Sequence, residues 1–415
     1  MRTTSLLALL AAMALIVAAC GNDDDSDAPG EAAGNGDTAD AETTAGDDSE
    51  PTPDAASRFR NTWTETDFSQ TTVDLDEIRS GGVPVDGIPP LDADGATSLE
   101  ARQSGEANFA PVDDMELDDN IPVAFIEHEG EARAYPLHIL TLHEVVNDVV
   151  ADTPVAMTFC PLCNTVLAFD REVDGEVLDF GVSGLLRHSD LVMWDRQTES
   201  WWQQATGQGI VGEHAGTQLT ILRAGIMSFA DFRDAHPGSL VLTEETGLGR
   251  TYGSNPYVGY DELGSTPFLF DGEVDDRLPA MERVVSIRGD DGGVAVPFTF
   301  LHDEHVAHVT VDGEDYVVLW GPGTASALDR ADIGESRDVG SAIAYIPEVD
   351  GEQLEFEPGD EPGKFVDTST GSTWDTTGTV IDGQLEGERL EMAEHMNIFW
   401  FAWAAFAPDT AIWEG

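Results

Sequence analysis

Cysteine is nearly missing from this 415-residue sequence: there are three, Cys20, Cys160 and Cys163. A framework of several disulfides is therefore excluded. Lysine is scarcer still, with Lys364 alone. After residue 20 no apolar run reaches the length of a membrane-spanning helix. The sequence has no Gly-rich phosphate loop and no Gly-x-Ser-x-Gly elbow. Hence no nucleotide cofactor is expected, and no hydrolase of the elbow type. Positive charge is short throughout: 19 Lys and Arg face 80 Asp and Glu, for a formal net charge of −61. That balance points away from nucleic acid as a partner. The acid is spread along the whole chain, which reads as a halophilic surface kept hydrated by carboxylates. An acidic face for a cationic partner is the alternative. The halophilic reading expects low stability at low ionic strength, where self-repulsion is unscreened.

What is present begins with an anchor. Residues 1–20, MRTTSLLALLAAMALIVAAC, carry Arg2 and then an uncharged run from Leu6 to Ala19. The run is short for a membrane span and fits a signal peptide. It closes on Val17-Ala18-Ala19-Cys20, a lipobox. Cleavage before Cys20 and lipidation on it would make residues 1–19 a lipoprotein signal peptide. The mature protein would then sit on the extracytoplasmic side of the cell membrane of a bacterium or archaeon, held by its acyl chains. Residues 20–56 follow as the lipidated cysteine and an acidic linker without aromatics. That composition cannot bury enough surface to offset ordering, so the linker is expected to be disordered.

The remainder contains an internal repeat. Asp195, Trp202, Gly207, Gly212, Gly216 and Leu219 are matched by Asp367, Trp374, Gly378, Gly383, Gly387 and Leu390. Upstream, residues 123–140 parallel 284–301, and 155–171 parallel 317–330. The reading is a tandem duplication, with unit 1 over 57–245 and unit 2 over 246–415. Cys160 and Cys163 fall opposite Gly321 and Thr324, so the second unit lacks the Cys-x-x-Cys. Short apolar or alternating runs bounded by Gly, Asp and Pro read as strands. Helices are expected from Pro136 to Asn147, over 228–238 and over 398–409. The fold class is α+β and strand-rich.

Cys160-Pro161-Leu162-Cys163 carries the strongest chemical signal. Two thiols at this spacing reach one metal ion, and Asn164 suits the left-handed turn that follows such a knuckle. Two cysteines do not close a site. His143 is the expected further ligand, four residues before Asn147 on the predicted helix. Glu144, Asn147 and His188 are weaker candidates. Sulfur with imidazole suits one transition metal ion: zinc, copper or iron. Two alternatives stand beside it. In one the cysteines are a dithiol for thiol–disulfide exchange; in the other they form a structural disulfide in an envelope binding module. The chemistry of a protein or small-molecule partner is not legible at this level.

GEARAYPLHILTLHEVVND, PVAMTFCPLCNTVLAFDR, FGVSGLLRHSDLVMWDRQTESWWQQ and FWFAWAAFAPDT resemble an exported family known as domain of unknown function 3179. The resemblance runs over roughly 75–415 and implies no activity. It does imply that His143, Glu144, Asn147, Cys160, Cys163, Ser189, Asp190 and Asp195 belong to the family's motif blocks. Two positions depart from its pattern: Asn164 stands where glycine is common, and His188 where asparagine is common.

Overall fold

Tight turns set the strands. Glu129 and Gly130 have φ of 48° and 87° and join Pro122–His128 to Glu131–Pro136 as a hairpin. His188 and Ser189, at 53° and 67°, do the same between Phe180–Arg187 and Asp190–Asp195. Two successive left-handed residues match the right-handed twist of the flanking strands. In the computed structural model, residues 55–93 and 104–415 are described. The expected signal peptide, Cys20 and nearly all of the linker lie outside them. Ala55–Arg58 is a short 3-10 helix with Ala56 buried, so packing starts just inside the stretch read as linker. No helix among the described residues is long and apolar enough to cross a membrane.

The chain is strand-rich with few helices. Up to Leu242 it builds three main sheets. One runs Ala224–Ser228, Pro122–His128, Glu131–Pro136, Leu240–Leu242, Phe109–Pro111. The second runs Ile221–Leu222, Thr165–Asp170, Thr153–Cys160, Val145–Val150, Leu91–Ala93, Gly105–Ala107. The third runs Ile78–Ser80, Phe180–Arg187, Asp190–Asp195, Trp201–Gln203, Gln208–Val211. From Arg283 onward three further sheets follow. Their orders are Met396–Phe399, Arg283–Ile287, Val294–Pro297, Ala411–Ile412; then Glu391–Met392, Ser341–Ile346, Glu314–Gly321, Val306–Val311; then Phe356–Pro358, Lys364–Asp367, Thr373–Asp375, Val380–Asp382.

Two elements differ from expectation. The helix placed over Pro136–Asn147 is a single turn, Leu137–Leu140. Glu144 then takes a left-handed φ of 60°, and Val145–Val150 is a strand. Valine pairs flank Asn147-Asp148, and β-branched side chains favour the pleated surface over the helix. The shared helical face of His143 and Asn147 disappears with the helix. Residues 325–330, matched by sequence to the strand after the cysteines, lie in a loop. The next strand in sequence to pair with Glu314–Gly321 is Ser341–Ile346.

The helices 229–235 and 400–406 fall within the expected spans. Trp400, Phe401 and Trp403 share one apolar core with Met157, Phe159, Phe169 and Phe180. Side chains far apart in sequence thus leave water together, at roughly 25 cal/mol per Å² of apolar surface. Ala55–Gly415 is one compact unit.

Candidate metal centre

Cys160 ends the strand Thr153–Cys160, and its ladder partner is Thr165. Only Pro161–Asn164 lies between, so the chain reverses within one turn. Asn164 closes it at φ 53°, the left-handed conformation that asparagine tolerates best after glycine. Both cysteines are free and buried, at 1 % and 0 % exposure. Asp190 follows the two-residue His188-Ser189 turn and is also fully buried. The ligand atoms of Cys160, Cys163 and Asp190 lie within 4.8 Å of one another. Among the described residues no other group of three His, Cys, Asp or Glu side chains meets as closely.

The carboxylate of Asp190 is held from one side. Its Oδ2 accepts from Gln203 Nε2 at 2.6 Å and from the Ala205 amide at 2.8 Å. Arg288 donates to the Ala205 carbonyl. Oδ1 is buried with no N–H or O–H donor, and the Cys160 and Cys163 thiols supply the remaining, weaker bonds to the carboxyl. Burial raises Asp190 to about 6, against the pull of the bonds from Ala205 and Gln203. Burial also pushes both thiols up, Cys163 the further, and Asp190 adds to the shift in each. Glu144 is raised to about 8 by burial and by the charge of Asp190. Four acids therefore crowd one dry place, where their charged forms are disfavoured.

Residues 243–282 contain neither helix nor strand, apart from one isolated bridge at Ser254. Loops this long are uncommon, and those that occur often cover sites. This one straps the cysteines. Tyr260 Oη donates to the Leu162 carbonyl at 3.1 Å and accepts from the Phe268 amide at 3.2 Å. Ser189 Oγ donates to the Phe268 carbonyl. Asp261 anchors the strap through Arg283, Arg337 and Ser326. Val258, Leu263, Phe268 and Val274 on the strap are four of the five exposed large apolar side chains among the described residues. The strap therefore buries less of its own apolar surface than the sheets do.

The sequence-derived candidates separate. Cys160 and Cys163 meet as the spacing requires. His143 does not join them. Its Nδ1 pairs with the Pro89 carbonyl at 2.7 Å and its Nε2 with Tyr252 Oη at 2.8 Å. Burial lowers it to about 4, so it is a neutral ring tied to the strap. Asn147 is structural: Nδ2 donates to Asp92 and to the Phe180 carbonyl, and Oδ1 accepts from the Phe180 amide. His188 serves the turn, its ring packed between Phe270 and Phe406. Its left-handed φ accounts for a position where asparagine is common. Glu144 lies near the thiols but outside the group of three. The third member, Asp190, was missed as a ligand. Its signal was the polar turn Arg187-His188-Ser189-Asp190, which a two-residue hairpin reading carries to the end of a strand beside the knuckle.

Asp195 and Asp367 close turns of one kind. Asp195 accepts from the Thr198 amide at 2.7 Å and from Trp202 Nε1 at 2.8 Å. Asp367 accepts from the Thr370 amide at 2.6 Å and from Trp374 Nε1 at 3.0 Å.

Comparison with curated proteins found no match, and comparison with solved structures found none. Residues 85–410 match the family model described as protein of unknown function DUF3179, and the chain belongs to that family.

Proposed function

We propose that this is a cell-surface lipoprotein that binds one transition metal ion through Cys160, Cys163 and Asp190, for metal handling or electron transfer. The observation that carries the reading is the Asp190 oxygen. It is buried with no N–H or O–H donor, beside two buried thiols within 4.8 Å that are its only neighbouring donors among the described residues. S–H is a weak donor, so the oxygen is poorly satisfied, and a group left wholly unsatisfied costs about 1–3 kcal/mol. A cation among the three acids would satisfy it and reverse the electrostatic penalty on their charged forms. Thiolates and carboxylate together suit zinc or iron, and thiolates alone suit copper.

Thiol–disulfide exchange is the second reading, favoured by the two free thiols on one turn. Against it, burial pushes both thiols up and lowers the thiolate fraction that exchange requires.

The lipid anchor on Cys20 and a halophilic surface belong to the same proposal. So does a tandem duplication, supported by the matched Asp–Thr–Trp turns and by the like strand orders before Leu242 and after Arg283. In that view the second unit keeps the scaffold without the cysteines.

Metal content and free-thiol count on the full-length protein, purified at high salt from an exporting host, test the function. One equivalent of metal in the wild type, lost in Cys160→Ser and sharply reduced in Asp190→Asn, is expected. Metal-free protein carrying an intact disulfide would sink the proposal.

A further inference from the structure

Glu144 has no structural employment for its side chain. It is 8 % exposed. Its carboxyl makes no hydrogen bond or ion pair among the described residues, and what acts on it is burial and the charge of Asp190. Its backbone neighbour across the chain is Phe159, the residue immediately before Cys160. Its backbone is the part with a local task. The amide donates to the Leu140 carbonyl at 2.7 Å, the carbonyl accepts from the Phe159 amide at 2.8 Å, and φ is 60°.

The same backbone device recurs at His305. There the amide donates to the Leu301 carbonyl at 2.8 Å, the carbonyl accepts from the Trp320 amide at 2.9 Å, and φ is 66°. His305 is half-buried, its ring on Trp320. The strand beside it ends in Gly321, where the strand beside Glu144 ends in Cys160. The left-handed cap is therefore made without a glutamate. Glutamate stands at this cap where the strand ends in cysteine, and histidine where it ends in glycine.

We propose that Glu144 is the fourth metal donor. It would complete a set of two thiolates and two carboxylates and select a divalent ion of the zinc or iron(II) class over copper(I). The proposal rests on the metal reading above. Glu144 stands outside the group of three, so it joins by rotating its side chain when the ion binds, while the capped backbone stays in place. Carboxylate oxygen is a harder donor than sulfur, and zinc accepts both in a tetrahedral set. Copper(I) is satisfied by the two thiolates.

The test uses reduced, full-length protein titrated with Zn²⁺, Co²⁺ and Cu⁺. Glu144→Gln is expected to weaken Zn²⁺ and Co²⁺ by more than the roughly 10- to 100-fold that loss of a merely supporting group costs. It should also alter the visible ligand-field bands of the Co²⁺ form. Cu⁺ affinity should change less than about threefold, since sulfur suffices for it. Glu144→Asn, better suited to the left-handed backbone, keeps the cap and should show the same loss with the fold intact. Zn²⁺ affinity at the wild-type level in both variants overturns the role of Glu144 alone. A wild type that takes up none of the three ions overturns the metal reading itself.

Discussion

Single side chains at this centre are governed by what surrounds them more than by their type. Two carboxyls show it: Asp190 is raised to about 6 and Glu144 to about 8, burial being the main cause for both. An acid raised in this way keeps its proton in the fold where the unfolded chain has lost it. Metal-free protein should therefore lose stability as pH climbs from the unfolded carboxyl range, about 4, to about 8. The Glu144 contribution is on the order of a few kcal/mol and absent in Glu144→Gln, whose profile should be flatter. Denaturant unfolding of both proteins across that range checks it, and parallel profiles would refute it. The knuckle thiols were legible from spacing. Asp190 was not assigned as a ligand, because it lies 27 residues after Cys163 and its approach depends on the hairpin turn before it. His143 looked right on a helix that in fact ends at Leu140.

Between elements, the strap is bonded to the turn that carries the thiols. Residues 243–282 carry no periodic pattern, and in sequence they read only as the start of a second repeat unit. Their role emerges when Tyr260 is found on the Leu162 carbonyl and Ser189 on Phe268. A cover held by a few hydrogen bonds belongs to the low-stability end of a fold. Reagents such as Ellman's should reach Cys160 and Cys163 by local opening. Tyr260→Phe removes two bonds worth about 0.5–1.5 kcal/mol each, so labelling should speed up on the order of tenfold. Equal rates for the two proteins, both matching global unfolding, would show that the strap does not open by itself. The strands were foreseen because alternation and bounding turn residues are local. The failed helix was not, because a run of valines changes state with its neighbours in the sheet.

For the whole molecule, charge is the dominant condition. A net −61 with one lysine means strong self-repulsion. The unfolding midpoint of the metal-free protein should rise steeply between low and molar salt, as the Debye length shrinks from about 10 Å at 0.1 M to about 3 Å at 1 M. A midpoint indifferent to salt would leave the acidic surface to some other purpose, such as a cationic partner.

The sequence by itself determined the class of fold, the family, the place of the two thiols and the acidity of the surface. Each is local or additive: strand patterns, motif spacing and residue counts need no partner far along the chain. Tertiary structure alone decided which acids meet the thiols, that His143 is occupied elsewhere, and that a strap seals the site. Those depend on contacts between segments far apart in sequence, and on a dry interior that changes what each side chain can do.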